Sequence, residues 1–204
     1  LQRDGRTIKS LIHPGRNAIF WILERKPEGI KYVAGWPFVY TDVWKGIEPE
    51  TGKPVVDPAH KPVIGKRVEF CPSLWGGKDW PSAAYSQKTG LVYVPANENF
   101  CGGFTGEKVP LVAGQLWLGT KPEDIGLTPR PGATHFGELQ AWDPATGKEY
   151  WRADVLNPGG TFLAKAFQSG ADAELVAQLH RAERRDRASP ADADHERASR
   201  DARR

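Results

Sequence analysis

The chain contains no long hydrophobic stretch. No apolar run in its 204 residues approaches the roughly 20 that an α-helix needs to cross a bilayer. The first ten residues, LQRDGRTIKS, also lack the apolar core of a secretory signal peptide. We therefore expect no membrane span, and no signal peptide is visible in this chain.

Motifs that would assign several common chemistries are missing as well. The sequence has no Gly-x-Gly-x-x-Gly turn for a nicotinamide cofactor, no Gly-x-Ser-x-Gly elbow of a serine hydrolase and no Cys-x-x-Cys-His haem site. Its formal charge is only +3, much of the basic content lies in the final stretch, and neither a zinc-ligand pattern nor a recognition helix accompanies it. We therefore expect no nucleic-acid partner.

Residues that end regular structure are, in contrast, abundant. The 22 Gly and 17 Pro, mostly before residue 161, interrupt the sequence too often for long helices and suit short strands joined by turns. With 39% hydrophobic content the chain can still bury a core. The sequence therefore predicts an all-β fold.

The composition changes near residue 160. Residues 1–160 hold all eight Trp and all five Tyr, whereas residues 161–204 hold neither and consist largely of Ala, Arg, Asp and Glu. We expect a folded domain over 1–160 and a tail over 161–204 that is a short helix followed by disorder, since no large apolar residue follows His180. A binding arm, a solvated mixed-charge extension and an out-of-frame continuation of the gene are three interpretations of that tail.

A loose repeat runs through the first 160 residues. Four segments each show an apolar strand and a polar turn that ends in Gly, usually followed by another strand. They lie at residues 18–29, 43–55, 83–94 and 139–151. Each segment is a hairpin signal, and four-stranded units closed into a ring would form a β-propeller, which protects its sheet edges by circular repetition.

The last copy, LQAWDPATGKEYW, has the best-formed turn. Asp143 and Thr146 suit a turn in which the Asp side chain caps backbone N–H groups, and Gly147 accepts a positive φ. We expect Trp151 to return along the second strand and pack on Ala141.

The segments HPGRN at 13–17, CPSLWGGKDWP at 71–81 and AWDPATGKEYW at 141–151 together resemble the methanol and ethanol dehydrogenase family, the alcohol dehydrogenases that depend on pyrroloquinoline quinone (PQQ). The segment AWDPATGKEYW at 141–151 resembles the family's tryptophan-docking repeat. HPGRN at 13–17, with the strand IFWILER, resembles the family's basic turn and strand, although Glu24 stands where Asp is usual. CPSLWGGKDWP at 71–81, followed by TGLVYVPANE, is similar to the family's cofactor loop. The resemblance is nearly continuous from about residue 11 to residue 160.

That resemblance implies a fold and a reaction. The fold is an eight-bladed β-propeller with PQQ on its axis, of which the resembling residues would build about three blades. The reaction is oxidation of a small alcohol, with a calcium or lanthanide ion that polarises the quinone carbonyl and an aspartate that takes the alcohol proton. The family also implies a cytochrome c-type electron acceptor and a periplasmic location. The preferred alcohol, the metal and the oligomeric state stay open.

Two residues, Arg16 and Asp79, match cofactor-binding positions of the family, and Trp80 is a third candidate. Arg16 lies where the family has an Arg or Lys beside the quinone oxygens, and a fixed cation there would stabilise the charge that develops on reduction; a surface Arg in a turn is the alternative. Asp79 stands where Asn is usual, and a carboxylate beside an anionic cofactor is unfavourable unless Arg16 or a metal compensates. Trp80 either walls the substrate side of the pocket or packs between blades, whereas we expect Trp75 to pack.

No catalytic residue and no metal ligand is assigned within the chain. The family's catalytic aspartate lies in a Trp-Asp segment upstream of the basic turn, and the first 16 residues contain no such segment. Asp4 is not in that motif, and the family's metal ligands lie further upstream still. We therefore expect this polypeptide alone to be inactive. It is either a quinoprotein dehydrogenase by descent or a noncatalytic propeller fragment that serves as an interaction surface or has no function.

The two cysteines, Cys71 and Cys101, flank the family-like loop and the strand after it. The two sides of such a hairpin can return to disulfide distance, and a bridge suits an oxidising compartment such as the periplasm. Two distant Cys without clustered His supply too few ligands for a metal site. We expect a disulfide that holds Lys78, Asp79 and Trp80 near the pocket; two free buried thiols are the alternative.

Overall fold

Short antiparallel strands make up almost all of the regular structure in this computed structural model, which describes residues 1–154. Within that range the strands are, in chain order, β1 (Gln2–Arg3), β2 (Arg6–Thr7), β3 (Ser10–Pro14), β4 (Ile19–Lys26), β5 (Gly29–Pro37), β6 (Trp44–Ile47), β7 (Pro54–Val56), β8 (Arg67–Phe70), β9 (Ala84–Tyr85), β10 (Val92–Ala96), β11 (Phe100–Thr105), β12 (Gly126–Pro129), β13 (Glu138–Asp143) and β14 (Lys148–Asp154).

The helical elements of the described range are two 3₁₀ turns, Pro58–His60 and Pro122–Asp124. The described residues include no helix long and apolar enough to cross a membrane. The predicted all-β fold is confirmed. The predicted domain boundary at residue 160, and the predicted helix and disorder over 161–204, lie outside the described residues.

Three antiparallel sheets carry most of the strands. Their strand orders are β3–β4–β5, β9–β10–β13–β14 and β8–β11–β12, and the ribbons β1–β2 and β6–β7 stand apart from them. In the chain, β11 and β12 lie between β10 and β13. The four-stranded sheet is therefore assembled from two hairpins that are distant in sequence.

All four repeat segments form the hairpins that their patterns predict. They are β4–β5, β6–β7, β9–β10 and β13–β14. Strand β13 is buried along nearly its whole length because it lies inside the four-stranded sheet, with β10 on one side and β14 on the other.

The hydrophobic core lies between the β3–β4–β5 sheet and the β9–β10–β13–β14 sheet. Phe20 of β4 stacks on Trp142 of β13, with ring centroids 5.5 Å apart. Burial of one such side chain stabilises a fold by about 1.5–3 kcal/mol. Sheets packed against one another in this way are the arrangement of neighbouring propeller blades. The buried cluster consists of Ile8, Ala18, Phe20, Ile22, Ala34, Phe38, Val39, Val92, Val94, Ala96 and Trp142.

The turn between β13 and β14, residues 143–147, has the predicted geometry. The carboxylate of Asp143 accepts from the Ala145 N–H at 2.8 Å and from the Thr146 hydroxyl at 2.7 Å. Gly147 has φ +74°, and Trp151 pairs with Ala141 across the two strands. The sequence prediction for this hairpin is therefore confirmed in each of its parts.

Gly147 also receives a tryptophan from the neighbouring sheet. A Cβ added at Gly147 would lie 2.1 Å from Cε2 of Trp36, a residue of β5. The absence of a side chain lets the indole cover the turn, and the guanidinium of Arg3 lies 5.5 Å from the centre of that indole ring. Trp36 thus links two sheets through one glycine.

Candidate functional site

The candidate site begins at the turn between β3 and β4, which carries Arg16. Gly15 and Ile19 close the turn with a backbone hydrogen bond of 2.8 Å, and Ala18 is buried beneath it at φ +70°. Two hydrogen bonds hold Asn17. Its side-chain oxygen accepts from the Trp21 indole at 3.1 Å, and its backbone carbonyl accepts from the Trp44 indole at 2.8 Å. The backbone on both sides of Arg16 is therefore fixed.

The second part of the site, the cofactor loop at residues 71–80, follows β8 and starts at a disulfide. Cys71 and Cys101 are bonded, with their Cα atoms 4.3 Å apart, so the predicted bridge is present. It differs from the expected hairpin in one respect. Cys101 lies in β11, whose neighbour is β8, whereas the intervening β9 and β10 belong to the four-stranded sheet. The disulfide thus anchors the loop to one sheet while the chain continues into another.

The Arg16 turn and the cofactor loop touch through two glycines. The Gly77 N–H donates to the Arg16 carbonyl at 2.9 Å. Gly76 has φ +72°, and a Cβ there would lie 2.2 Å from the same carbonyl oxygen. Asn97, just after β10, holds the loop from its other side, because its N–H donates to the Gly77 carbonyl at 2.7 Å and its side-chain amide to the Gly76 carbonyl at 3.1 Å.

This backbone contact brings two of the predicted site residues together. Arg16 Nη2 lies 2.6 Å from Asp79 Oδ1. The Arg16 side chain is 58% exposed and that of Asp79 is 23% exposed, so solvent still reaches the pair. Because the two residues are 63 positions apart in the chain, the pairing depends on the fold. Arg16 supplies the charge compensation that the sequence required for a carboxylate at position 79.

The neighbours of Asp79 add a cation and an aromatic ring. Lys78 Nζ donates to the Asp79 carbonyl oxygen at 3.1 Å, and partial burial lowers the pKa of Lys78 while the charge of Asp79 opposes that shift. Trp80 is 88% exposed, so its ring is not packed against the described part of the chain. The Trp75 ring lies 5.9 Å from that of Phe100, but Trp75 is still 44% exposed, so it is only partly packed.

Sequence reasoning missed a buried polar cluster next to Asn97. Glu98 and Glu138 are both buried, and Glu98 accepts from the Tyr40 N–H at 2.9 Å. The Gln140 side-chain amide donates to Glu138 and to the Phe38 carbonyl, both at 2.7 Å. Burial raises the pKa of Glu98, and the charge of Glu138 raises it further. No motif marks these residues, since they come from separate segments that only the fold brings together.

The side chains at the site suit an anion or a polarised oxygen. Arg16 and Lys78 are donors, Trp80 offers an open aromatic face, and Asp79 contributes the one negative charge among these four residues. Within residues 1–154 no three His, Cys, Asp or Glu side chains are grouped so that they could hold a metal ion. The chemistry of these side chains thus suits an anion, and we assign none of the residues as a metal ligand.

The curated proteins that are similar in sequence to this chain include several alcohol dehydrogenases. No protein-family model matches the chain. It is 37% identical over 165 residues to a quinoprotein ethanol dehydrogenase of Pseudomonas putida, a match that covers 76% of this chain and 25% of that protein. It is 30% identical over 197 residues to a 1-butanol dehydrogenase (cytochrome c) of Thauera butanivorans, which covers 87% of this chain and 26% of the relative. The chain thus spans about a quarter of the length of the curated relatives it matches.

A solved structure shows the same likeness in three dimensions. A europium-containing methanol dehydrogenase superposes with a TM-score of 0.69 at 29% sequence identity. The superposition covers 78% of this chain and 27% of the solved one. The described residues therefore share the fold of one part of that enzyme.

Proposed function

This chain belongs to the PQQ-dependent alcohol dehydrogenase family, and from that premise we propose that its described residues form the cation-bearing side of a PQQ site for alcohol oxidation. The proposal is supported by the identity with quinoprotein relatives and by the meeting of the Arg16 turn with the cofactor loop. The observation that carries it is the 2.6 Å contact between Arg16 and Asp79. Both residues match cofactor positions of the family, and the fold brings them to one place.

The roles of the chain's own residues follow from their chemistry. PQQ, when bound, supplies the acceptor for the hydride that leaves the alcohol carbon. Arg16 would hold its guanidinium against developing negative charge, and it needs little reorganisation because its backbone is fixed on both sides. Lys78 would neutralise a carboxylate of the cofactor, and Trp80 would cover a face of the site and exclude water. Asp79 pairs with Arg16 and so links the guanidinium to the cofactor loop.

The rest of the proposed function is drawn from the relatives. We propose a small alcohol as substrate, a calcium or lanthanide ion as the metal, a cytochrome c-type electron acceptor and a periplasmic location. The names of the butanol and europium-containing relatives support the acceptor and the metal class, respectively. No residue in 1–154 is assigned as the catalytic aspartate, so we expect this polypeptide alone to show no dye-linked ethanol oxidation.

Binding of PQQ to the full chain tests the proposal. Isothermal titration with PQQ in the presence of calcium or lanthanum chloride should give saturable binding. The R16Q variant should raise Kd about tenfold, because a charge-assisted contact to an anion is lost. K88Q, which removes an exposed charge in the β9–β10 turn, is the matched control and should bind as the unmodified chain does. Equal affinities for R16Q and K88Q would contradict the proposal, as would the absence of any binding.

A further inference from the structure

We infer that Asp79 is a specificity-determining residue that weakens binding of the anionic cofactor. Its carboxylate forms an ion pair with the Arg16 guanidinium, the group that the cofactor would bind. This inference rests on the proposed function and concerns the same site. The inference predicts the direction of an affinity change. Loss of the Asp79 charge should strengthen binding of a carboxylate-bearing quinone, although it also removes the ion pair with Arg16.

The geometry shows a direct competition. Asp79 Oδ1 lies 2.6 Å from Arg16 Nη2, which is the distance of a short charge-assisted hydrogen bond. Any ligand oxygen that binds this edge of the guanidinium must displace the carboxylate or share the nitrogen with it. Since the Arg16 side chain is 58% exposed, a ligand can reach the guanidinium from solvent.

The backbone that leads to Asp79 is held beside the Arg16 turn. The loop is fixed through Gly76 and Gly77 on the Arg16 turn and on Asn97. An anion that approaches Arg16 therefore meets a guanidinium already neutralised by a carboxylate, and must displace that carboxylate or share the guanidinium with it.

Charge at the site decides the direction of the effect. Arg16, Lys78 and Asp79 together carry one net positive charge, and they would carry two with an amide at position 79. Asn keeps the size of Asp and can still accept from Arg16 through its carbonyl oxygen, so the pair's geometry can persist without its charge. The site with Asp thus favours a ligand with fewer negative charges, and the site with Asn favours a tricarboxylate.

The test compares D79N with a variant of equal net charge. PQQ binding to the full chain is titrated at low and at high salt for the unmodified chain, D79N and E69Q. Glu69 has a 79% exposed side chain and lies outside the site, so E69Q changes the net charge without changing Arg16. We expect D79N to lower Kd about tenfold at low salt and to steepen the salt dependence, with E69Q unchanged.

A second probe separates this inference from the proposed function. Benzene-1,3,5-tricarboxylate carries three carboxylates but no quinone, so it reports the charge of the site alone. Tighter binding of this probe by D79N, with no PQQ binding by any variant, would support the role of Asp79 and refute the proposed function. Weaker or equal binding of PQQ by D79N, while the unmodified chain binds it, would overturn the role of Asp79 only. If D79N gains affinity for neither probe, the inference is wrong.

Unfolding of D79N is monitored to exclude a trivial cause. A partly exposed ion pair contributes little to stability, about 0–1 kcal/mol, so the urea midpoint of D79N should lie close to that of E69Q. Partial unfolding of D79N also could not explain a gain in affinity, because unfolding weakens binding and does not strengthen it.

Discussion

Two turns of this molecule each contain a glycine of positive φ, but the hydrogen bonds that hold them come from different parts of the chain. In the turn at 143–147, the side-chain oxygens of Asp143 accept from Ala145 and Thr146, within three residues, while the Ala145 carbonyl accepts from the distant Arg3. In the cofactor loop at 71–80, the Gly76 N–H donates locally to the Ser73 carbonyl, but the Gly77 N–H and the carbonyls of Gly76 and Gly77 bind the distant Arg16 and Asn97. The closing side chain of the first turn is local, whereas the cofactor loop is held mainly by distant segments.

The two turns differ in how strongly their shape depends on the rest of the fold. A turn closed by its own side chain depends less on its surroundings, which suits a structural repeat. A loop held by distant segments changes when any of those segments moves, so its order depends on the packing of the sheets. In this protein Asp79 lies on the second kind of loop, whereas Arg16 lies in the β3–β4 turn.

The largest expected effect comes from removing the disulfide. The C71S/C101S double variant should lose about 3 kcal/mol in free energy of unfolding, because the bridge closes a long loop and limits the unfolded chain. The bonded residues are 30 positions apart. Urea unfolding measures the loss. In native-state hydrogen exchange, the amides of Gly76 and Gly77 should lose more protection than those of Ala145 and Gly147.

Reduction provides the control for that experiment. Dithiothreitol should destabilise the unmodified chain by a similar amount and leave the double variant unaffected. Full labelling of the native, unreduced chain by a thiol reagent would show that the bridge is absent. Equal loss of protection in both turns would show that the cofactor loop does not depend on the disulfide more than the 143–147 turn does.

How far the sequence predicts each turn follows from the same contrast. The hairpin of Asp143 is predictable because its capping Asp, its Gly and its returning Trp151 lie within nine positions of one another. The contact of Arg16 with Asp79 was reached only through the family resemblance, which placed both at one cofactor. Asn97 and Glu98 carried no signal, since their partners Gly76 and Tyr40 come from separate segments.

A matched pair of glycine substitutions is expected to have the next largest effect. G76A and G147A both force a Cβ onto a positive-φ backbone and into another residue, the carbonyl of Arg16 or the indole of Trp36. Each should cost about 2 kcal/mol of stability. Under conditions where both variants remain folded, only G76A should weaken PQQ binding, because only Gly76 lies against Arg16. Urea unfolding and titration with PQQ measure the two effects.

The result that would break the comparison is a loss of PQQ affinity in G147A as large as that in G76A. It would mean that the position of Trp36, and with it the packing of the two sheets, controls the site as strongly as the loop itself does.

The smallest expected effect sharpens the comparison to single hydrogen bonds. N97A removes the amide that donates to the Gly76 carbonyl at 3.1 Å but keeps the backbone bond to Gly77. D143A removes the two side-chain bonds that close the other turn. N97A should lose about 1 kcal/mol of stability, the usual net value for one such bond, and D143A, which loses two bonds, should lose about 1–2 kcal/mol.

The two variants should differ most clearly in their effect on the affinity for PQQ. N97A should raise the Kd for PQQ several-fold, since about 1 kcal/mol of lost positioning corresponds to roughly a fivefold change, whereas D143A should leave Kd unchanged. N97D is a further variant that keeps the size of the side chain but replaces its donor with a carboxylate facing the Gly76 carbonyl. It should therefore weaken binding at least as much as N97A does. If N97D binds as tightly as the unmodified chain, Asn97 does not position the loop, and the order of residues 76–80 comes from the disulfide and the Arg16 turn.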